Sequence, residues 1–418
     1  MHDRKSDFWK ALGPGLLWAG ASIGVSHLVQ STRAGATYNF SLVWLVILAM
    51  VMKYPFFEFG PRYASATGKS LLKGYLDWNP WAWGIFLVMT VGTMFAVMAA
   101  VTVVTAGLAI QLFPFGWSIL TWCALLLVIC AAILALGQYA LLDSAIKIII
   151  VILSLSTVIA VAAAFLHGPA ARPGAAVPSL WTLSGVSFMV VLLGWMPCPI
   201  DVAVWHSLWT LERRKQTGVA PAYRNIRLDF DLGYYGTGVM ALGFLSLGAL
   251  VMFGSGETFA RSGGAFAGQL VELYTKTLGS WSHLVILLAA FTTMFSTTLT
   301  VADAYPRVLK EAWLDWQGRD RIRQGERVYW LSMLGVIAGG LLLLTVLKST
   351  MTFMVDLATT LSFLTAPVLA WFNYRVLFQP DFPEAFRPSR RMQILSWIGM
   401  AFLLGFALVY LYWRFFRI

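Results

Sequence analysis

The chain has 418 residues, of which 59% are hydrophobic and only 12% charged, with a net charge of +11. Soluble domains carry about 25% charged residues. So sparse a supply cannot coat a water-soluble surface of this size, which excludes a disordered chain, a collagen, a disulfide scaffold and nearly every soluble enzyme. What remains is an all-α polytopic membrane protein. Cys123, Cys130 and Cys198 are scattered, with no CxxC pair, so neither a disulfide framework nor a structural zinc site is expected. The basic balance fits lysines and arginines gathered on the cytoplasmic side of a bilayer, and no nucleic-acid partner is expected. No small-residue cleavage site precedes the first apolar stretch, so no removable signal peptide is expected.

A membrane helix needs about 20 apolar residues. Eleven stretches qualify, roughly 12–38, 41–57, 82–112, 118–136, 142–166, 184–208, 230–253, 281–304, 328–347, 351–373 and 392–414. The loops between them leave no room for a soluble domain, so 1–418 reads as a single transmembrane domain. The first span violates the rule that a helix in lipid is apolar unless it lines a cavity. Ser26, Gln30 and Arg33 fall on one helical face, with His27 and Ser31 beside them, and Gly20 and Gly24 precede them where the helix can loosen. Helix packing explains the glycines, but not an arginine and a histidine at membrane depth. The sixth span holds Gly194-Trp195-Met196-Pro197-Cys198-Pro199-Ile200-Asp201. A plain kink accounts for the two prolines. A carboxylate beside the kink points to a site.

The two breaks open two five-helix halves, 12–166 and 184–373, with 392–414 as an extra helix. Interrupted spans at corresponding positions mark an inverted-repeat transporter, whose unwound segments meet near the midplane and bind substrate. No obvious sequence identity links the halves. The basic residues orient the chain: one side carries 22 of the 30 lysines and arginines and the other 6, counting Lys147 and Arg414 at span ends with the loops beside them, and Arg33 and Lys53 lie inside spans. The N-terminus is therefore expected in the cytoplasm and the C-terminus outside, in the plasma (inner) membrane of a prokaryote. The basic runs at Arg213-Arg214-Lys215 and from Arg319 to Arg327 read as positive-inside anchoring before lipid binding.

Gly13-Pro14-Gly15-Leu16-Leu17, Ala34-Gly35-Ala36-Thr37-Tyr38, Ser41-Leu42-Val43-Trp44, Ala66-Thr67-Gly68-Lys69-Ser70-Leu71, and Met196-Pro197 with His206-Ser207 form a set of motifs. Together they resemble the Nramp family of divalent metal-ion transporters. The resemblance implies a LeuT-like inverted repeat of 5+5 helices plus one, with 11 transmembrane helices of which helices 1 and 6 are broken. It implies a secondary active transporter of a small inorganic ion, not an enzyme, working without a cofactor. Gly68-Lys69-Ser70 is not a phosphate loop, because no glycine stands at the required place before it.

The departures from the family pattern fall on the chemistry. The family's metal-binding Asp-Pro-Gly-Asn falls on Gly24, Val25, Ser26 and His27. Its Met-Pro-His becomes Met196-Pro197-Cys198. Anchored instead on His206-Ser207, the family's histidine falls on Asp201 and its methionine on Pro199. The third-span acids used for proton movement match Met98 and Val101, and the tenth-span glutamine matches Thr359. The chain reads as a divergent member that keeps the scaffold and lacks the usual metal-binding motif and proton route.

Two substrate classes follow. His27, Asp201 and Met196, with Cys198, offer a replacement ligand set for a borderline or soft metal, whereas one carboxylate is a poor start for magnesium or calcium. Conversely, loss of the aspartate leaves a half-helix beginning at Ser26 with free donors and a partial positive charge, to which His27 and Arg33 add more. That is how a site for a small anion such as bicarbonate is built. Arg33 reads equally as a structural ion pair with Asp201 or Asp356. The expected substrate-lining set is Gly24, Ser26, His27, Gln30, Arg33, Met196, Cys198, Asp201 and Thr359. A non-transporting sensor on the same scaffold ranks lowest, since no added soluble domain is present. No HExxH, nucleophile elbow or histidine cluster supports an enzyme. His2, His167 and His283 lie near span ends and read as interfacial. The expected partners are the ion and the lipid bilayer.

Overall fold

A computed structural model describes residues 13–137, 139–170, 175–218, 222–318, 321–347 and 350–416, without the side chains of 139–150. The N-terminal tail, Arg172, Arg319, Lys348 and Arg417, all part of the charge count, lie outside the described residues. Every regular element described is helical.

The first span is discontinuous. Helix α1 (Pro14–Ser22) has proline at its first turn, where a missing backbone donor costs nothing. The helix stops at Ile23 and Gly24, and the chain resumes as a π-helical turn, Ser26–Ser31, followed by α2 (Thr32–Tyr38). Such widened turns cluster at functional sites. Helix α3 (Val43–Thr67) is the second span, ended by Gly68 in the left-handed conformation at φ 69°. The short α4 (Leu71–Trp78) follows, started by Ser70, whose Oγ accepts from the Lys73 amide at 3.1 Å.

Helices α5 (Pro80–Leu112), α6 (Ile119–Ala135) and α7 (Tyr139–His167) are spans three to five. The sixth span splits into α8 (Leu183–Gly194) and α9 (Val202–Thr217), with Trp195 to Asp201 irregular between them. Helix α10 (Tyr223–Leu247) runs into a second π-helical turn, Gly248–Met252. Helices α12 (Ser282–Gln317), α13 (Ile322–Leu347), α14 (Met351–Arg375) and α15 (Arg390–Phe416) complete the eleven spans. Seven of the helical stretches described are long and apolar enough to cross a membrane on length and composition; the broken or shorter ones make up the rest.

One region departs from expectation. The 254–280 loop contains α11 (Gly263–Leu278), which buries Phe266, Ala267, Leu270, Val271, Leu273 and Tyr274. Its apolar stripe faces the bundle while its other face is polar, so averaged hydropathy does not reveal it. The core sits around α5 and α12, each buried along much of its length. Helices α13 and α15 are peripheral and expose Leu331, Leu334, Leu342 and Val346, and Trp397, Ile398, Leu404 and Leu408. Apolar side chains on that surface suit lipid.

Candidate functional site

The two breaks meet. Ser26 Oγ lies 3.2 Å from the carbonyl oxygen of Pro197, joining the start of the π-helical turn to the unwound segment of the sixth span. Around this point is a cavity of about 30 Å³, enough for one or two water-sized particles. Its polar lining comes from Ser22, Ser26, Cys198 and Thr297, and its apolar walls include Val97, Val101, Trp195 and Trp205. Gly24 is needed beside it: a Cβ there would come within 2.9 Å of Thr297 Oγ1 on α12. The cavity is therefore walled by both breaks and by the third and eighth spans.

The expected site residues divide among four surroundings. Ser26 and Cys198 line the cavity, and Met196 is fully buried beside them in a cis peptide with Pro197. His27 is fully buried and engages both ring nitrogens within the protein: Nδ1 lies 2.7 Å from Ser26 Oγ and Nε2 3.0 Å from the Thr237 carbonyl of α10. A carbonyl only accepts, so Nε2 carries the donating hydrogen and Nδ1 accepts from Ser26.

Asp201 opens onto a separate crevice of about 10 Å³, lined also by Thr90, Thr93, Ser362 and Thr365. Its Oδ1 is buried without a hydrogen-bond partner. Arg33 pairs with Asp356 through contacts of 2.7 and 2.9 Å, and Gln30 Nε2 donates to the same carboxylate at 3.1 Å. The Arg33 guanidinium also lies 4.9 Å over the Phe188 ring. Helix α2, helix α8 and helix α14 are thereby tied together, and the expected partner of Arg33 is Asp356 rather than Asp201. Thr359 turns its hydroxyl back to the Val355 carbonyl, 2.8 Å away. Its own carbonyl presses on Gly194, where an added Cβ would come within 2.1 Å.

The trio His27, Asp201 and Met196 is thus spread over these surroundings. Among the described residues, no group of three or more His, Cys, Asp and Glu side chains is arranged to hold a metal ion.

Three buried residues on helices that pack around the two broken spans or form part of them were not among the expected set. Lys53 of α3 is fully buried, and its Nζ donates to the carbonyls of Leu193 at 2.5 Å and Gly194 at 3.2 Å, the last two of α8. Asp229 of α10 accepts from the amides of Gly13 and Gly15, at 3.2 and 2.6 Å, placing a carboxylate at the positive end of α1. His206 of α9 is fully buried with neither ring nitrogen hydrogen-bonded, its ring 5.6 Å from Phe230. A lysine isolated in an apolar span was the one sequence signal available, and it named no partner.

Comparison with known proteins follows the same lines. The chain is 34% identical over 409 residues to an uncharacterised protein of Pasteurella multocida (strain Pm70), covering 96% of this chain and 92% of that one. Among solved structures, the manganese transporter of Eremococcus coleocola superposes with a TM-score of 0.69 at 14% identity, over 97% of this chain and 86% of that chain. Mhp1, a nucleobase-cation-symport-1 family transporter, superposes at 0.59 with 12% identity, over 96% and 92%. The fold is accordingly the LeuT-like inverted repeat of 5+5 helices plus one, with the first and sixth spans broken. The family model for natural resistance-associated macrophage protein-like chains matches residues 15–413. A match over nearly the whole chain, on a fold whose two broken helices line a small cavity where they meet, places this integral-membrane transporter, which is not an enzyme, in the Nramp family.

Proposed function

We propose that the chain is a secondary active transporter carrying a small inorganic ion between the two breaks, and that by family the ion is a divalent metal cation. One observation carries the reading. The unwound segments of spans one and six meet across a cavity deep in the bundle, where discontinuous helices offer carbonyls and free donors to an ion. On this reading Cys198 and Ser26 face the ion directly. Met196 lies next to them, and Asp201, on the adjoining crevice, supplies a carboxylate oxygen without a hydrogen bond. His27 orients Ser26, and Gly24 leaves room for Thr297. Gln30, Arg33 and Thr359 with Asp356 hold the neighbouring ends of the helices together. A thiol and thioether favour a soft or borderline metal over magnesium or calcium. The division into repeats at 12–166 and 184–373, with 392–414 added, belongs to the same proposal, as does an N-terminus in the cytoplasm of a prokaryote.

A specific observation favours a second reading, a small anion such as bicarbonate. Lys53 brings an ammonium to the sixth-span break, while no cluster of metal ligands is found among the described residues. The two readings separate on mutation. Flux into proteoliposomes is measured for manganese, zinc, iron, copper and nickel ions and for bicarbonate, formate and nitrate. For a metal, Asp201→Asn abolishes uptake, because the breaks hold no other carboxylate. For an anion, Asp201→Asn is tolerated and His27→Ala is the damaging change, with loss of at least tenfold. Thermal stability is measured beside flux, since His27→Ala removes two buried hydrogen-bonding contacts, to Ser26 and to the Thr237 carbonyl, at a cost of about 0.5–1.5 kcal/mol each. Normal folding of both variants with unchanged transport of every tested ion would remove these residues from the site.

A further inference from the structure

The carbonyls that Lys53 reaches are not ordinary ones. Leu193 and Gly194 are the last residues of α8, so their oxygens lack the regular i+4 donor, Leu193 taking only a long 3.4 Å contact from the Met196 amide beside the cap amide of Trp195, and both sit at the negative end of the helix dipole. In discontinuous membrane helices such ends hold cations. Here the cation is the chain's own: Nζ is 2.5 and 3.2 Å from the two oxygens and the whole side chain is buried. A neutral cap such as asparagine or serine would satisfy the same oxygens without the heavy penalty of burying an ammonium. The charge itself therefore needs a reason.

The surroundings supply it. Asp201, at the start of α9, lies within electrostatic reach of Lys53 and keeps one carboxylate oxygen without a hydrogen bond. Two end-of-helix carbonyls thus hold a single positive group, and a carboxylate stands within electrostatic reach of it. Helix α3 also packs along the far side of the break, where Gly60 fits so tightly against α9 that a Cβ would come within 2.4 Å of the Ala203 carbonyl. Lys53 is therefore carried by an element that grips both halves of the sixth span.

We infer that the Lys53 ammonium is a tethered cation that fills a monovalent-cation site created by the broken sixth span. The inference rests on the transport reading above for its meaning: no sodium or potassium ion is taken from solution at this point of the cycle. It also bears on specificity, because a fixed positive charge beside the break makes a divalent cation harder to hold there and an anion easier.

The test reads cation binding without transport. Wild type, Lys53→Ala and Lys53→Met are purified in detergent, and melting temperature is followed in choline, sodium, potassium and ammonium chlorides at constant ionic strength. The wild type is expected to melt at one temperature in all four salts. Lys53→Ala opens the space of the removed stem, so it melts several degrees lower in choline and recovers most of that loss in tens of millimolar ammonium or sodium. Lys53→Met keeps the stem, admits no ion and stays low in every salt. A folded Lys53→Ala indifferent to the cation, or a wild type that needs sodium or potassium for stability, overturns the inference. Should Lys53→Ala not fold in any salt, Lys53→Met decides: stability equal to wild type overturns the inference, and lowered stability upholds it. Failure of flux for every ion would strike the transport reading and leave these melting shifts unaffected.

Discussion

Arg33 and Asp356 show how a charge inside an apolar span is resolved. The pair is 25% and 32% exposed in its side chains, so water screens it in part. Arg33→Ala and Asp356→Asn are expected to destabilise the protein individually, and the double variant by less than the sum. A coupling of about 1 kcal/mol from a double-mutant cycle of thermal stability would match this geometry, and additive effects would contradict it. The need for a partner was legible in the sequence, because an arginine at membrane depth must find one. Which of Asp201 and Asp356 it finds was not, since both lie more than 160 residues away along the chain. Lys53 was harder still. Its partners are backbone carbonyls of α8, which carry no residue-specific signature, so a lone lysine in α3 reads only as an oddity.

At the scale of elements, the breaks were the most legible feature. Glycine and paired prolines act on their own backbone, and the helix stops at Ile23–Gly24 and after Gly194, where those residues lie. The π-helical turn at Ser26–Ser31 and helix α11 were not legible, because both depend on packing against neighbours. Helix α5 carries a consequence of its own. From Pro80 to Leu112 it contains no Asp, Glu, His, Lys, Arg, Tyr or Cys, and Met98 and Val101 are buried where a proton route would need titratable groups. Thr105 instead meets Thr298 of α12 at 2.7 Å. Transport is therefore expected to proceed without proton flux along the third span. Acidification inside vesicles that tracks uptake, and that disappears when α5 is altered, would contradict this.

For the whole molecule, the composition dictated a helical bundle in a bilayer, and the lysine and arginine asymmetry sets the orientation to be tested. A cysteine placed at Lys69, between α3 and α4, is expected to react with membrane-impermeant reagent only from the cytoplasmic side. One placed at Glu257, between α10 and α11, should react only from outside. The opposite pattern would invert the topology. The central claim is that the ion passes between the breaks of the first and sixth spans. Cys198 lines that cavity, and Cys123 and Cys130 are buried elsewhere, so a variant with both changed to alanine leaves Cys198 as the sole thiol. The measurement is alkylation of Cys198 by a small thiol reagent in proteoliposomes during flux, with and without the transported ion. The account predicts that the ion slows alkylation and that alkylated protein stops transporting; complete modification of Cys198 with flux unchanged would contradict it.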